Sequence, residues 1–167
     1  MFSNLFTRRA FGSRLAALLP GIGLAATTAL PSPAEAQATG GVKKLDIDGK
    51  PAGTGFITPL IVFNGVIYIA GIGAHSHNKA ELPKDITNHT KSVMEGVKTA
   101  VETGGGTMDC ILQLTVYLAS INDYDGMNAV FKTYFPNGGP ARTTVAVANL
   151  PGDSLVEINC TAAVVRK

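Results

Sequence analysis

Residues 138–160, GGPARTTVAVANLPGDSLVEINC, hold two side chains able to do chemistry together. Arg142 follows a Gly-Gly-Pro turn and opens a β-branched run. Beyond residue 36 the sole other arginine is Arg166. A guanidinium is a planar fork that matches a carboxylate bidentately. Glu157 can hold a water or relay a proton where burial or a bound substrate raises its pKa. If TTVAVA and LVEINC pair as a hairpin, both side chains lie on adjacent strands near one end of a sheet. Two readings are open at this point: a substrate-binding pair, or a structural Arg–Glu brace.

Other polar residues are weaker candidates. His75 and His77 point the same way in an extended segment and could grip a metal, with a third ligand from Glu81 or Asp85. Nothing marks either carboxylate, so no metal is expected, and the pair reads as a polar loop at a pocket mouth. His89 lies four residues after Asp85, the spacing of a surface pair on a helix. Asn128 interrupts an apolar helical stripe and reads as a buried polar tie near a subunit contact. Cys110 and Cys160 lack C-x-x-C spacing and read as two buried free thiols, although an oxidising compartment would permit a disulfide. The glycines at 104–106 are not followed by Gly-Lys and read as a helix stop rather than a phosphate loop.

These residues belong to one domain. The chain begins with Arg8-Arg9, Phe11, an Ala/Leu-rich run to Leu30, then Ala34-Glu35-Ala36. That order resembles a twin-arginine export signal cleaved near Ala36, with the periplasm as destination. Pro20, Gly21 and Gly23 break the run, which is short for a bilayer span. Residues 37–167 then form a domain of 131 residues. The first 36 residues carry three of the 14 Lys+Arg and one of the 12 Asp+Glu, so the domain holds 11 of each. A neutral domain with two arginines has no electrostatic footprint for nucleic acid or an anionic membrane.

The elements that must position the candidates follow from period and punctuation. VKKLDID alternates as a half-buried strand, and PLIVFNGVIYIAG reads as a hairpin turned at Asn64-Gly65. From Asp85, the recurrence of Ile86, Thr90, Val93, Val97 and Ala100/Val101 predicts an amphipathic helix ending at Gly104-Gly105-Gly106. CILQLTVYLA is a further strand, apolar enough to suggest cover on both faces. Asn122 or Asp123 caps a second helix with Tyr124, Met127, Val130, Phe131 and Tyr134 as its stripe, ended by Pro136 and Gly138-Gly139. Two last strands surround Pro151-Gly152-Asp153. The order β-β-β-α-β-α-β-β predicts an α+β fold, a mostly antiparallel sheet with two helices on one face. Strands such as VIYIAG and TVAVA look apolar on both sides, so the uncovered face predicts an oligomer.

Five stretches, NGVIYIAG, residues 85–118, NDYDGMNAVFKTYFP, PARTTVAV and LVEINCTAAV, resemble the RidA family, also called YjgF or L-PSP, in order and spacing. The resemblance implies a chorismate-mutase-like homotrimer with sites in the clefts between subunits. It implies hydrolysis of reactive enamine/imine acids, such as 2-aminoacrylate, to 2-oxoacids and ammonia without a cofactor. The family's carboxylate-binding arginine falls on Arg142 and its water- or proton-handling glutamate on Glu157. Gly71, Thr144, Phe56 and Ile57 fall on its substrate-binding positions. Three departures stand out: Ile57-Thr58 replaces a Tyr-Ser pair, Ala70-Gly71-Ile72 replaces Ser-Gly-Gln, and Thr144 replaces a cysteine. A non-catalytic protein that binds small carboxylates is the alternative. An endoribonuclease, an activity attributed to some relatives, is not expected of so neutral a domain.

Overall fold

The computed structural model describes residues 41–74 and 82–165. Six strands form one sheet: β1 (Lys43–Leu45), β2 (Leu60–Phe63), β3 (Val66–Gly73), β4 (Ile111–Leu118), β5 (Ala141–Ala146) and β6 (Val156–Ala163). Their spatial order is β1-β2-β3-β6-β4-β5. The β4–β5 pair is parallel and the other pairs are antiparallel. The two helices are α1 (Ile86–Thr103) and α2 (Tyr124–Phe131). The predicted element order and the α+β class both hold. Among the described residues no helix is long and apolar enough to cross a membrane.

Local signals explain the parts that position the site. Asn64 and Gly65 both have positive φ (52° and 76°), as a two-residue turn matched to strand twist requires. Asp85 caps α1, its carboxylate accepting the Asn88 amide at 2.9 Å. Gly105, at φ 91°, turns the chain out of the helix. Alternate residues of the central strands face the helices: Ile67 and Ile69 on β3, Leu114, Val116 and Leu118 on β4, Val156 and Ile158 on β6. With Val93, Met94, Val97 and Val101 of α1 and Met127 of α2 they form the core.

Two expectations are corrected here. β5 and β6 do not form a hairpin, because β4 lies between them. The connection over 147–155 is long enough to cross β4, and it turns at Gly152 and Asp153, both at positive φ. β4 offers Leu114, Val116 and Leu118 to the helices and takes a central place. The Arg/Thr-containing β5 is relegated to the edge. The second correction concerns the face opposite the helices, which is mixed rather than uniformly apolar. The pairing register puts Tyr68, Gln113, Thr115, Tyr117, Thr143, Val145, Glu157, Asn159 and Thr161 there. Tyr68 is half exposed, at 49%.

Candidate functional site

Arg142 is the second residue of β5 and lies in register with Leu114 and, one strand further, Cys160. Both are buried on the helix side of the sheet, so Arg142 points toward α2. One turn and the next of that helix receive it. Its Nη1 donates to Asn128 Oδ1 at 2.7 Å, and its Nη2 lies 3.4 Å from the Tyr124 hydroxyl. The guanidinium carbon stands 4.6 Å from the centre of the Phe131 ring and 5.9 Å from that of Tyr124. Residues 124, 127, 128 and 131 share one helical face, and that is why a single eight-residue helix can both stack on and hydrogen-bond the fork. Asn128 is therefore a polar tie, but half-buried rather than buried, and its partner is Arg142 of the same chain.

Glu157 is the second residue of β6 and points to the opposite face. It pairs with Tyr117 of β4 on one side and Gly73 of β3 on the other. The β3 register shifts between Ile69 and Ile72, and Gly71 lies in that irregularity. A Cβ at Gly71 would overlap Glu157 Oε1 and come within 3.0 Å of its Cδ. The half-buried Glu157 carboxylate thus occupies a notch that the missing side chain leaves open.

Arg142 and Glu157 do not meet within one chain. They are two strands apart, three residues out of step, and on opposite faces. Strand spacing and rise put their Cα atoms roughly 14 Å apart. Among the described residues neither takes part in a salt bridge. The brace reading fails with the hairpin that would have created it. Among the described residues, what remains is a stacked cation without a carboxylate partner and a carboxylate without a cation.

The other candidates fall to either side of this division. Thr144 lies two residues after Arg142 on the same face, its hydroxyl buried with no protein partner. Phe56 (99% exposed) and Ile57 (62%) lie in the loop between β1 and β2 and line neither group in the single chain. His75, His77 and Glu81 fall outside the described residues, and Asp85 is committed to capping α1. Among the described residues no cluster of three His, Cys, Asp or Glu could hold a metal.

His89 is corrected outright. It is buried, and its Nδ1 accepts the Leu155 amide at 3.1 Å. Burial pushes its pKa down, Asp85 opposes that shift, and Lys84 adds to it. Cys160 is buried and Cys110 half-buried, both free. Burial pushes the Cys160 thiol up to about 12. Tyr117 and Tyr124, which flank the carboxylate and the guanidinium, were legible only as core residues of a strand and a helix.

A six-stranded α+β sheet with two helices on one face, an edge-strand arginine stacked on α2 and a glutamate in a notch on the reverse face is the arrangement to compare with known proteins. The sequence profile of the family described as Endoribonuclease L-PSP matches residues 50–164, so the chain belongs to that family, the RidA/YjgF group. A RutC family protein of Pyrococcus horikoshii is 34% identical over 116 residues, covering 69% of this chain and 92% of that protein. A Rattus norvegicus protein named 2-iminobutanoate/2-iminopropanoate deaminase is 29% identical over 121 residues, covering 72% and 88%. A crystal structure from Yersinia pestis, a protein of unknown function of the conserved Rid family, aligns at a TM-score of 0.66. It is 29% identical, with 74% of this chain and all of that one covered.

Proposed function

We propose that this protein hydrolyses reactive enamine/imine acids of the 2-aminoacrylate kind to 2-oxoacids and ammonia, in sites shared between neighbouring copies of a trimer. The observation that carries the reading is the unpaired Arg142. Its fork is held by Asn128 and Phe131 and has no carboxylate of its own among the described residues. A buried-side cation of this kind is satisfied by an anionic ligand.

Glu157 completes the chemistry as the group that positions water or moves its proton. Because the two lie on opposite faces of one sheet, a substrate touching both must lie between Arg142 of one copy and Glu157 of the next. The face bearing Glu157 also favours association. Asn159 Oδ1 is buried there with no hydrogen-bond partner, beside a cavity of about 280 Å³ lined by Tyr68, Gln113, Thr115 and Thr161. Gly71 gives ligand access to the notch, Thr144 offers its hydroxyl beside Arg142, and the exposed Phe56 and Ile57 close over a neighbour's site. No cofactor is required for addition of water to an imine. Export through the twin-arginine-like segment would place the reaction in the periplasm, and N-terminal sequencing of the periplasmic protein checks cleavage near Ala36.

The test is ammonia release from imino acids generated in situ by an amino-acid oxidase. The reading expects faster release with the protein than without it. Saturable carboxylate binding with no acceleration would leave a binding protein of the same fold, the second reading to which the loss of the Tyr-Ser pair at Ile57-Thr58 lends weight.

A further inference from the structure

The segment that feeds Glu157 into β6 is tied down from three directions. Ser154 Oγ accepts the Ala74 amide at 2.9 Å, from the end of β3, and donates to the Val156 carbonyl at 2.7 Å. The Leu155 carbonyl accepts the Ala119 amide at 3.0 Å, from just beyond β4. The third tie is the Leu155 amide, which donates to His89 Nδ1 at 3.1 Å. This last bond differs from the others because its acceptor titrates. An imidazole nitrogen accepts only while it carries no proton. Protonation would place an N–H against an N–H, in a site where His89 is 7% exposed.

We infer that His89 is a positioning residue for Glu157: as a neutral imidazole it holds the Leu155 backbone in place, and its protonation releases the segment that delivers the carboxylate to its notch. The inference rests on the deaminase reading for its consequence on turnover, while the His89–Leu155 coupling is readable without it.

The charges around His89 bear on its titration in known directions. Burial, the largest influence, favours the neutral ring and outweighs Asp85, which favours the imidazolium; Lys84 adds to the effect of burial. Asp153, on the facing segment, is exposed and lies 3.7 Å from Lys84. Ala74 and Ala119, the contacts from the β3 and β4 ends, bring no charge. Glu157 points to the other face of the sheet.

The experiment measures pH profiles of imine hydrolysis alongside the Leu155 amide resonance in full-length protein. Wild-type turnover falls on the acid side by on the order of tenfold per pH unit below the midpoint, the slope of a single proton, with KM unchanged. The Leu155 amide shifts with the same midpoint. His89→Asn keeps an acceptor oxygen at the position of Nδ1 and does not titrate. It removes the limb whose midpoint the Leu155 amide shares, although His75 and His77 remain, and leaves only the limb that protonation of the Glu157 base imposes. His89→Leu keeps the volume without an acceptor and is slow at every pH. A purely structural role would lower thermal stability in both variants and leave the acid limb in place. An acid limb with the wild-type midpoint in His89→Asn, or a Leu155 amide indifferent to pH in the wild type, overturns the inference. If no imine is turned over but the Leu155 amide titrates in the wild type and not in His89→Asn, the deaminase reading fails and the coupling stands.

Discussion

The two faces of this sheet treat their charged residues in opposite ways. On the helix side, Arg142 is held almost completely by its own chain: one hydrogen bond to Asn128, a stack on Phe131, and Tyr124 near its second nitrogen. On the reverse side, Glu157 is held by absence, in space left by Gly71 and beside Gly73, with Asn159 two residues on, its buried Oδ1 lacking a partner among the described residues. Preorganisation is thus supplied in two ways. The cation is fixed in orientation by its own chain, as the proposed recognition of a planar carboxylate would require. The carboxylate is half-buried in a notch, with no cation beside it among the described residues.

The sharpest way to separate the faces is to neutralise each group in turn. Glu157→Gln keeps the shape and removes the base. It is expected to lower turnover by about 10²–10⁴-fold while leaving carboxylate-ligand affinity close to wild type. Arg142→Ala removes a charge-assisted fork whose bonds contribute about 1.5–3 kcal/mol each, so affinity for carboxylate ligands should fall by roughly 10²-fold. Arg142→Lys restores part of it, since a point charge cannot reproduce the fork. Titration calorimetry with a non-reactive 2-oxoacid, with melts on the same samples, checks both. Near-normal turnover in folded Arg142→Ala would remove the cation from the mechanism.

A smaller change probes the notch. In Gly71→Ala the new methyl meets the flexible end of Glu157 rather than backbone, so the carboxylate moves and the fold does not. Turnover should drop by about 10–10²-fold, the cost of a misplaced catalytic group. The melting temperature should stay within roughly 2 °C of wild type, because no backbone strain is introduced at this φ. A large loss of stability would mean that Gly71 serves packing instead.

What could be read ahead of the structure divides along the same line. The hairpin at Asn64-Gly65 and the helix from Asp85 to the glycines at 104–106 were legible because their signals are local: two positive-φ residues, a cap, a 3.6-residue period. The pairing of β5 was not, because strand order depends on which strand buries best against the helices, and β4 won the central place. Arg142 and Glu157 therefore stood out by residue type but were wrongly placed on adjacent strands. Asn128 stood out as a polar break in an apolar stripe, yet its partner 14 residues away could not be named. His89 was misread because i,i+4 spacing to Asp85 says nothing of the 150–155 segment that covers it.

Asn128 gives the finest test of the contrast, and the smallest effect. If the helix-side face works by preorganisation, removing one tie should weaken binding without abolishing it. Asn128→Ala deletes the 2.7 Å acceptor for Nη1 but leaves Phe131 stacked under the guanidinium. A hydrogen bond to a charged donor contributes about 1.5–3 kcal/mol at most, and a half-buried site lets water replace part of it. Carboxylate affinity should therefore fall by roughly 3–10-fold, with turnover at saturating substrate nearly unchanged. A double-mutant cycle with Arg142→Lys makes the argument specific. A lysine cannot use both the tie and the fork geometry, so the Asn128→Ala penalty should shrink in the lysine background. Equal penalties in both backgrounds would show that Asn128 acts independently of Arg142, and the two-faced division of labour would then lack its best-defined contact.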